Sequence, residues 1–276
     1  MSAGKAHTGG RTALICQADE PLNRFGLARW LASFTDLAAL IVVRDPKRRW
    51  WRRVRREIRR TGWLRFLDVA AFRLYYRVFL AARDRAWEKA RWQELERKFG
   101  PLPGSTRILE VQTPNAPAVA QLLSETRPEL MIARCKHILK EAIFSLPSRG
   151  TFVMHPGICP QYRNAHGCFW ALTRRDLDHV GLTLLKVDAG VDTGPVYGHY
   201  RGRFDERRES HVVIQHRAVF DNLDGLRARL LEILAGAAEP LDTTGLPSRA
   251  WGQPWLSAYW RWKRHARRAG RSATGA

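Results

Sequence analysis

Short apolar runs alternate with stretches of helical periodicity from the start of the chain. Thr12 to Cys16 (TALIC) and Leu37 to Val43 (LAALIVV) are almost unbroken apolar segments, the pattern of strands buried on both faces. Between them Leu22, Phe25, Leu27, Leu31 and Phe34 recur at roughly helical steps, so Pro21 to Phe34 predicts a helix and the three segments a first βαβ unit. The same alternation returns later. Strands are predicted at 107–112, 129–135, 151–154 and 180–187, with a late one at 195–204, and helices at 116–125, 164–176 and 210–235. Strands interleaved with helices predict an α/β fold built on a mainly parallel sheet with helices on both faces.

Asp45 marks a change of pattern. The run KRRWWRRVRREIRR is densely basic and sets Trp51, Val54 and Ile58 on one face of a helix over 47–60. Gly62 interrupts it, and a more apolar helical stretch continues from Trp63 until Pro101-Leu102-Pro103-Gly104 ends it as a turn. Residues 46–100 therefore read as a helical insertion between two strands. Near the end, SRAWGQPWLSAYWRWKRHARRAGRS is rich in Trp and Arg and broken by Pro254. The expected division is a flexible tail at 1–10, an α/β domain at 11–237 containing the insertion, and a basic Trp-rich extension at 238–276.

Composition narrows the partners more than the fold. With 276 residues and 45% hydrophobic content the chain can bury a substantial core, which excludes general disorder. A formal net charge of +21 favours anionic partners: phosphates, nucleic acid or lipid headgroups. Cys16, Cys135, Cys159 and Cys168 lack paired metal-binding spacing, so they read as reduced thiols, and no metal site is expected. The first residues lack the apolar core of a signal peptide, and no window approaches the ~18 apolar residues of a membrane span. A cytoplasmic protein is expected, with room for peripheral contact at the inner membrane surface.

Candidate chemistry concentrates between Thr151 and Tyr200. One predicted strand runs into His155-Pro156-Gly157, and the next into Asp188-Ala189-Gly190-Val191-Asp192-Thr193-Gly194-Pro195. Strand ends of this kind are where open α/β sheets hold their sites. Pro156 helps to end the strand and present the imidazole of His155. Asp192 lies between glycines that permit close approach of a ligand, and Asp188 opens the loop as a turn residue bonding to its own backbone. Taken alone, each residue is equally consistent with a structural hydrogen bond at a strand end or turn.

The order and wording of this stretch resemble the folate-dependent formyltransferases, whose catalytic domain is shared by methionyl-tRNA, glycinamide ribonucleotide and amino-sugar formyltransferases. In that family a strand ends in Asn-x-His-Pro-Ser-Leu-Leu-Pro, followed by Tyr-Arg-Gly, an amphipathic helix and Asp-x-Gly-x-Asp-x-Gly-Pro. The resemblance implies a Rossmann-like domain, 10-formyltetrahydrofolate as formyl donor, and His155 and Asp192 as the catalytic His and Asp. It also implies that the folate's pterin ring is held by backbone groups of Lys136, His137, Ile138 and Leu139 on one side and of Asp188, Ala189, Gly190 and Val191 on the other. Val153 stands where the family carries its catalytic Asn. Asn164 and His166, just downstream, are the candidates for a replacement donor.

On this resemblance the expected function is formyl transfer to a primary amine, on a small molecule or a carrier, such as an amino sugar or a methionyl-tRNA-like acceptor. About forty residues follow the last predicted helix, which speaks against the extra C-terminal barrel of the tRNA-acting members, and PLNRFG after the first strand lacks a Gly-rich phosphate loop. Hydrolysis of formyl-folate, or a non-catalytic role in binding folate or a partner, are the alternatives. The basic Arg/Trp segments could meet an anionic membrane, or else nucleic acid, or form a solvated face. Their tryptophans tip the balance toward membrane.

Overall fold

The computed structural model describes residues 9–45, 58–59 and 62–272. Strand β1 (Arg11–Gln17) is an interior strand of a seven-stranded sheet. It is flanked by β2 (Asp36–Val43) and β4 (Leu130–Arg134), and Leu14 lies opposite both Leu40 and Ile132. Strands β3 (Arg107–Val111), β5 (Gly150–His155), β7 (Gly181–Lys186) and β8 (Val196–Arg201) complete the order β3-β2-β1-β4-β5-β7-β8. Pairing is parallel from β3 across to β5, and antiparallel for β5 with β7 and β7 with β8. The sheet is thus mainly parallel.

The chain first builds outward from β1 through β2 to β3, then returns to lay β4 against the other side of β1. This reversal opens a crevice at the carboxyl ends of β1 and β4, the usual ligand position in such sheets.

Each face of the sheet carries its own apolar layer. Leu14, Cys16, Leu40, Ile132 and Met154 project into the larger one. That layer is covered by α1 (Ala28–Ala32) with its π-helical lead-in Leu22–Leu27, and by α2 (Trp63–Tyr75), α6 (Gly167–Thr173), α7 (His211–Phe220), α8 (Leu223–Ala235) and α9 (Leu256–Ser272). On the opposite face Ala13, Ile15, Ile41, Met131 and Ala133 pack under α4 (Pro117–Thr126) and α5 (Glu141–Phe144). A two-stranded ladder, β6 (Arg163–Asn164) with β9 (Ala250–Trp251), ties the late chain to the loop after β5.

Between β2 and β3 the chain is helical where it is described. α2 passes through a π-helical turn at Tyr76–Leu80 into α3 (Ala81–Phe99). Of the basic helix expected over 47–60, only residues 58 and 59 are described; Trp51 and Val54 lie outside the described residues, as do residues 1–8 of the expected tail and residues 273–276.

Two predicted helices differ from those observed. The stretch 164–176 narrows to Gly167–Thr173, because Asn164 joins the β6 strand and His166 adopts a left-handed conformation (φ 57°) just ahead of the helix. The stretch 210–235 is divided after Phe220. There Arg91 Nη2 donates to the Phe220 carbonyl at 2.6 Å, and Asn222 Nδ2 caps Ala218 O at 2.9 Å. The start of α7 is locally encoded. Ser210 Oγ accepts the N–H groups of Val212 and Val213, each at 3.2 Å, as a helix cap does, and donates to Asp84 Oδ2 at 2.6 Å.

Within the described residues, no helix is long and apolar enough to cross a membrane.

Candidate active site

His155 ends β5 and is 4% exposed. Its Nε2 lies 2.8 Å from the Tyr162 carbonyl, which can only accept, so Nε2 carries a proton. Nδ1 faces Asp192 Oδ2 at 3.3 Å. The contact sets the imidazole beside the carboxylate at ion-pair distance.

Asp192 is held in place by backbone. Its Oδ2 also accepts the Asn164 N–H at 2.8 Å, and its own backbone is left-handed (φ 52°). Just upstream, Asp188 organises the loop, accepting Gly190 N–H at 3.0 Å and Thr193 Oγ1 at 2.8 Å. At Gly194 any Cβ would fall 1.9 Å from the Lys186 carbonyl, so only glycine fits that return.

These residues border a cleft of about 380 Å³ at the carboxyl ends of β4 and β5, within the usual size range of small-molecule sites. One wall is Lys136, His137, Ile138 and Leu139; the other is Asp188, Gly190, Val191 and Asp192. Seven of the eight residues expected to hold the pterin line this cleft, and Ala189 does not. The 136–139 turn is pinned from behind. Asn115 Nδ2 donates to Ile138 O at 2.9 Å, while Asn115 Oδ1 accepts the Lys140 N–H at 2.8 Å. His137 turns its ring to Asp45, 2.9 Å away. Among the described residues, the backbone N–H groups of 136–139 make no hydrogen bond, so they are free to meet a ligand's acceptors.

The two expected replacement donors occupy different places. Asn164 lines the cleft, but its Nδ2 donates to the Trp251 carbonyl at 2.6 Å. His166 does not line it; its ring lies 5.8 Å from that of His211, and burial lowers its pKa to about 4, keeping it neutral.

Two charged residues absent from the sequence reading also line the cleft, Glu20 and Arg134. Arg134, the last residue of β4, donates through Nη1 to Met154 O, the carbonyl between Val153 and His155, and through Nε to Asn23 Oδ1 at 3.3 Å. No further hydrogen bond of its guanidinium occurs among the described residues, leaving N–H groups uncommitted. Burial lowers its pKa, with Glu20 opposing. Glu20 in turn binds Lys136 Nζ at 2.9 Å and accepts Asn23 Nδ2 at 2.6 Å. Burial acts to raise the Glu20 carboxyl, but Lys136 and Arg134 outweigh it and hold the pKa below its ordinary value. The available signal in the sequence was an arginine ending an otherwise apolar strand.

The thiols near the site are not poised as nucleophiles: burial pushes Cys135 up to about 11 and Cys159 up to about 12. Among the described residues, no group of three or more His, Cys, Asp or Glu is placed to hold a metal ion.

Comparison with known proteins gives this geometry a family context. Residues 88–223 match the family model described as formyl transferase. A methionyl-tRNA formyltransferase from Dehalococcoides mccartyi is 33% identical over 91 residues, which is 33% of this chain and 29% of the relative. One from Sorangium cellulosum is 40% identical over 60 residues, 22% and 19% of the two chains. The matched segment therefore spans less than a third of these relatives. Among solved structures, a phosphoribosylglycinamide formyltransferase from Anaplasma phagocytophilum superimposes with a TM-score of 0.53 at 13% identity, covering 90% of this chain and all of that one. A sugar N-formyltransferase from Shewanella superimposes with a TM-score of 0.52 at 10% identity, covering 93% and 87%. At such identities the superpositions show a shared fold.

Proposed function

We propose that this chain, a formyltransferase-family protein through residues 88–223, transfers a formyl group to a primary amine. The observation that carries the proposal is the contact of His155 with Asp192 at the edge of a cleft whose two walls are the 136–139 and 188–192 loops. The family's formyl donor is 10-formyltetrahydrofolate, which supplies the one-carbon group. The cleft suits it: free N–H groups on the 136–139 turn can meet a pterin's acceptors, and Leu139 and Val191 supply apolar walls.

When an amine attacks the formyl carbon, the oxygen gains negative charge, the amine must lose a proton, and the departing folate nitrogen must gain one. In our reading the His155 ring faces that oxygen. Asp192 orients the ring and, through Oδ1, holds the water that relays the amine's proton.

Val153 offers no donor, and Asn164 has committed its amide to Trp251. We assign the missing donor to Arg134, whose uncommitted N–H groups lie beside Met154 on the adjacent strand. A guanidinium in a sheltered cleft stabilises an oxyanion more strongly than a neutral amide.

The acceptor is an amine on a small molecule or carrier, such as an amino sugar or a methionyl-tRNA-like end. A cytoplasmic location, with peripheral contact of the basic Arg/Trp segments at an anionic membrane, belongs to the same proposal.

Calorimetric titration with 5-formyltetrahydrofolate, beside a Leu139→Asp variant, tests the reading. Saturable binding lost in the variant supports it, and no binding to a folded protein overturns it. Acceptor-independent release of free folate would instead identify a hydrolase. A function that survives His155→Ala would identify a binding protein.

A further inference from the structure

A second cavity, of about 510 Å³, lies away from this cleft among α2, α3, α9 and the loop before α7. Tyr75, Leu80, Tyr259 and Trp260 form its apolar walls. Around them stand Arg83, Arg207, Arg264 and Arg267, none of which forms an ion pair among the described residues. Four guanidiniums about one hollow, outnumbering the nearby carboxylates of Asp84, Asp205 and Glu206, leave a positive field, and guanidinium is the side chain best shaped to grip phosphate oxygens. Lys263 reports that field: its amine, 8% exposed, donates to the backbone carbonyl of Glu206 at 2.7 Å. Burial first, then Arg83 and more weakly Arg267, lower its pKa to about 8 against the opposing pull of Glu206 and Asp205.

Beside the cavity, α2 and the π-helical turn that continues it leave an apolar stripe in water. Leu64, Leu67, Ala71, Leu74 and Val78 follow one another at alternating steps of three and four, and all are exposed, Leu64 to 87% and Leu74 to 65%. The opposite side of the helix supplies Val69 and Phe72 to the core, so the stripe is a second apolar face, without a partner among the described residues. Phe79, 68% exposed, packs tilted against Tyr75 of the cavity wall at 4.9 Å, and Tyr75 meets the half-exposed Trp260 at 6.1 Å. Apolar faces of this extent mark interaction sites rather than idle surface.

We propose that this surface docks on an anionic membrane, the α2 stripe entering the headgroup boundary while the arginine-lined cavity takes the phosphate of a lipid headgroup. Charge selects this occupant. A second copy would bring another +21 chain against the same arginines, and a nucleic acid has phosphates for the cavity but nothing for leucine and valine to bury. An anionic bilayer answers both halves, as basic amphipathic surfaces with aromatic rims do. The proposal gives the peripheral-contact reading a location and does not depend on formyl transfer.

The test is sedimentation of the full chain with vesicles of phosphatidylcholine alone, or of phosphatidylcholine and phosphatidylglycerol in equal parts, with inorganic phosphate as soluble competitor. Three double variants accompany it: Arg264→Glu with Arg267→Glu, Leu74→Ser with Val78→Ser, and a charge-matched control, Arg127→Glu with Lys140→Glu, on the opposite face of the sheet. Binding to the mixed vesicles alone is expected, weakened roughly tenfold or more in each of the first two variants and much less in the control. Equal weakening by the control, or persistence of binding in both docking variants, would overturn the site while leaving general attraction to membranes. No binding to mixed vesicles would overturn membrane contact altogether. A concentration-dependent dimer abolished by the Leu74/Val78 change, or duplex DNA binding lost only in the arginine variant, would reassign the surface. Folate titration in the same samples reads the catalytic proposal separately.

Discussion

The α-carbons of Gly157 and Gly167 are pressed together, so that a Cβ on Gly167 would lie 2.6 Å from Gly157 Cα and 2.8 Å from the Tyr162 carbonyl oxygen. That carbonyl is the one His155 Nε2 bonds. The start of α6, the loop after β5 and the imidazole are therefore locked through two residues without side chains. Gly167 stands at the first position of its helix, so alanine there meets a steric obstacle rather than a backbone one. Gly167→Ala is expected to push Tyr162 O away from the buried ring and destabilise the protein by about 1–3 kcal/mol, the usual cost of an unsatisfied buried donor. Urea unfolding measures the loss, and the imidazole resonances of His155 should shift with it. An unchanged midpoint and unchanged resonances would mean that the loop yields without involving the histidine.

Replacing Arg134 separates its two tasks. Arg134→Met is expected to lower formyl transfer about 100- to 1000-fold, the range for a lost oxyanion donor, with folate binding little affected. Adding Val153→Asn to that variant should recover part of the loss, because the amide returns where the family carries its own. Thermal unfolding of both variants separates a catalytic effect from loss of the Asn23 and Met154 contacts. No rescue, together with an equal fall in folate affinity, would make Arg134 a structural residue.

Much of this architecture was legible beforehand, and the reasons differ by element. Strands β1, β2 and β4 are buried on both faces, so their sequences are apolar throughout and announce themselves. The glycines around Asp192 likewise signal a loop with unusual backbone. The division of helix 210–235 was not legible, since Arg91, which donates to the Phe220 carbonyl at the break, comes from 129 residues away. Arg134 was hidden for a related reason. Its chemistry arises only when β4 settles between β1 and β5, bringing Asn23 to one side and Met154 to the other. The α2 stripe was present in the periodicity, but a helical pattern does not say which of two apolar faces meets the core.

Lys263 should give the protein a distinctive pH response. Its folded pKa of about 8 lies below the ordinary lysine value of 10.5, so between these pH values the unfolded chain binds the extra proton. Stability from this group therefore rises as pH climbs through about 8 and on toward 10.5. Below that window the buried charge costs about 3 kcal/mol by the size of the shift. Lys263→Met removes the effect. The stability difference between wild type and variant should move toward wild type as pH goes from 7 to 10, a comparison that cancels other titrations. A pH-independent difference would show that the two proteins share the same proton balance.

The buried thiols predict chemical silence. Burial raises Cys16, Cys159 and Cys168 to about 12 and Cys135 to about 11. At pH 8 the thiolate fraction of Cys135 is on the order of 100-fold below that of an ordinary cysteine. A disulfide reagent such as dithionitrobenzoate should react slowly with the native protein and rapidly with all four thiols in urea. Fast reaction of one thiol in the native state would reveal local opening, most readily at Cys135 beside the cleft.

Asp192→Asn is the most discriminating change at the proposed centre. The carboxylate oxygen that faces His155 also accepts the Asn164 N–H, and an asparagine oxygen can keep that second bond. The loop should therefore hold its shape, and 5-formyltetrahydrofolate should bind nearly as before. What disappears is the negative charge opposite Nδ1, so the ring loses the anion that orients it, and the relay through Oδ1 loses its base. Transfer is expected to fall about 100- to 10,000-fold, the range for general acid–base groups, with the loss in kcat rather than KM. A variant that loses folate binding in parallel would assign Asp192 to loop architecture. One that keeps both binding and full transfer would remove it from the reaction, and with it the proton route proposed for this cleft.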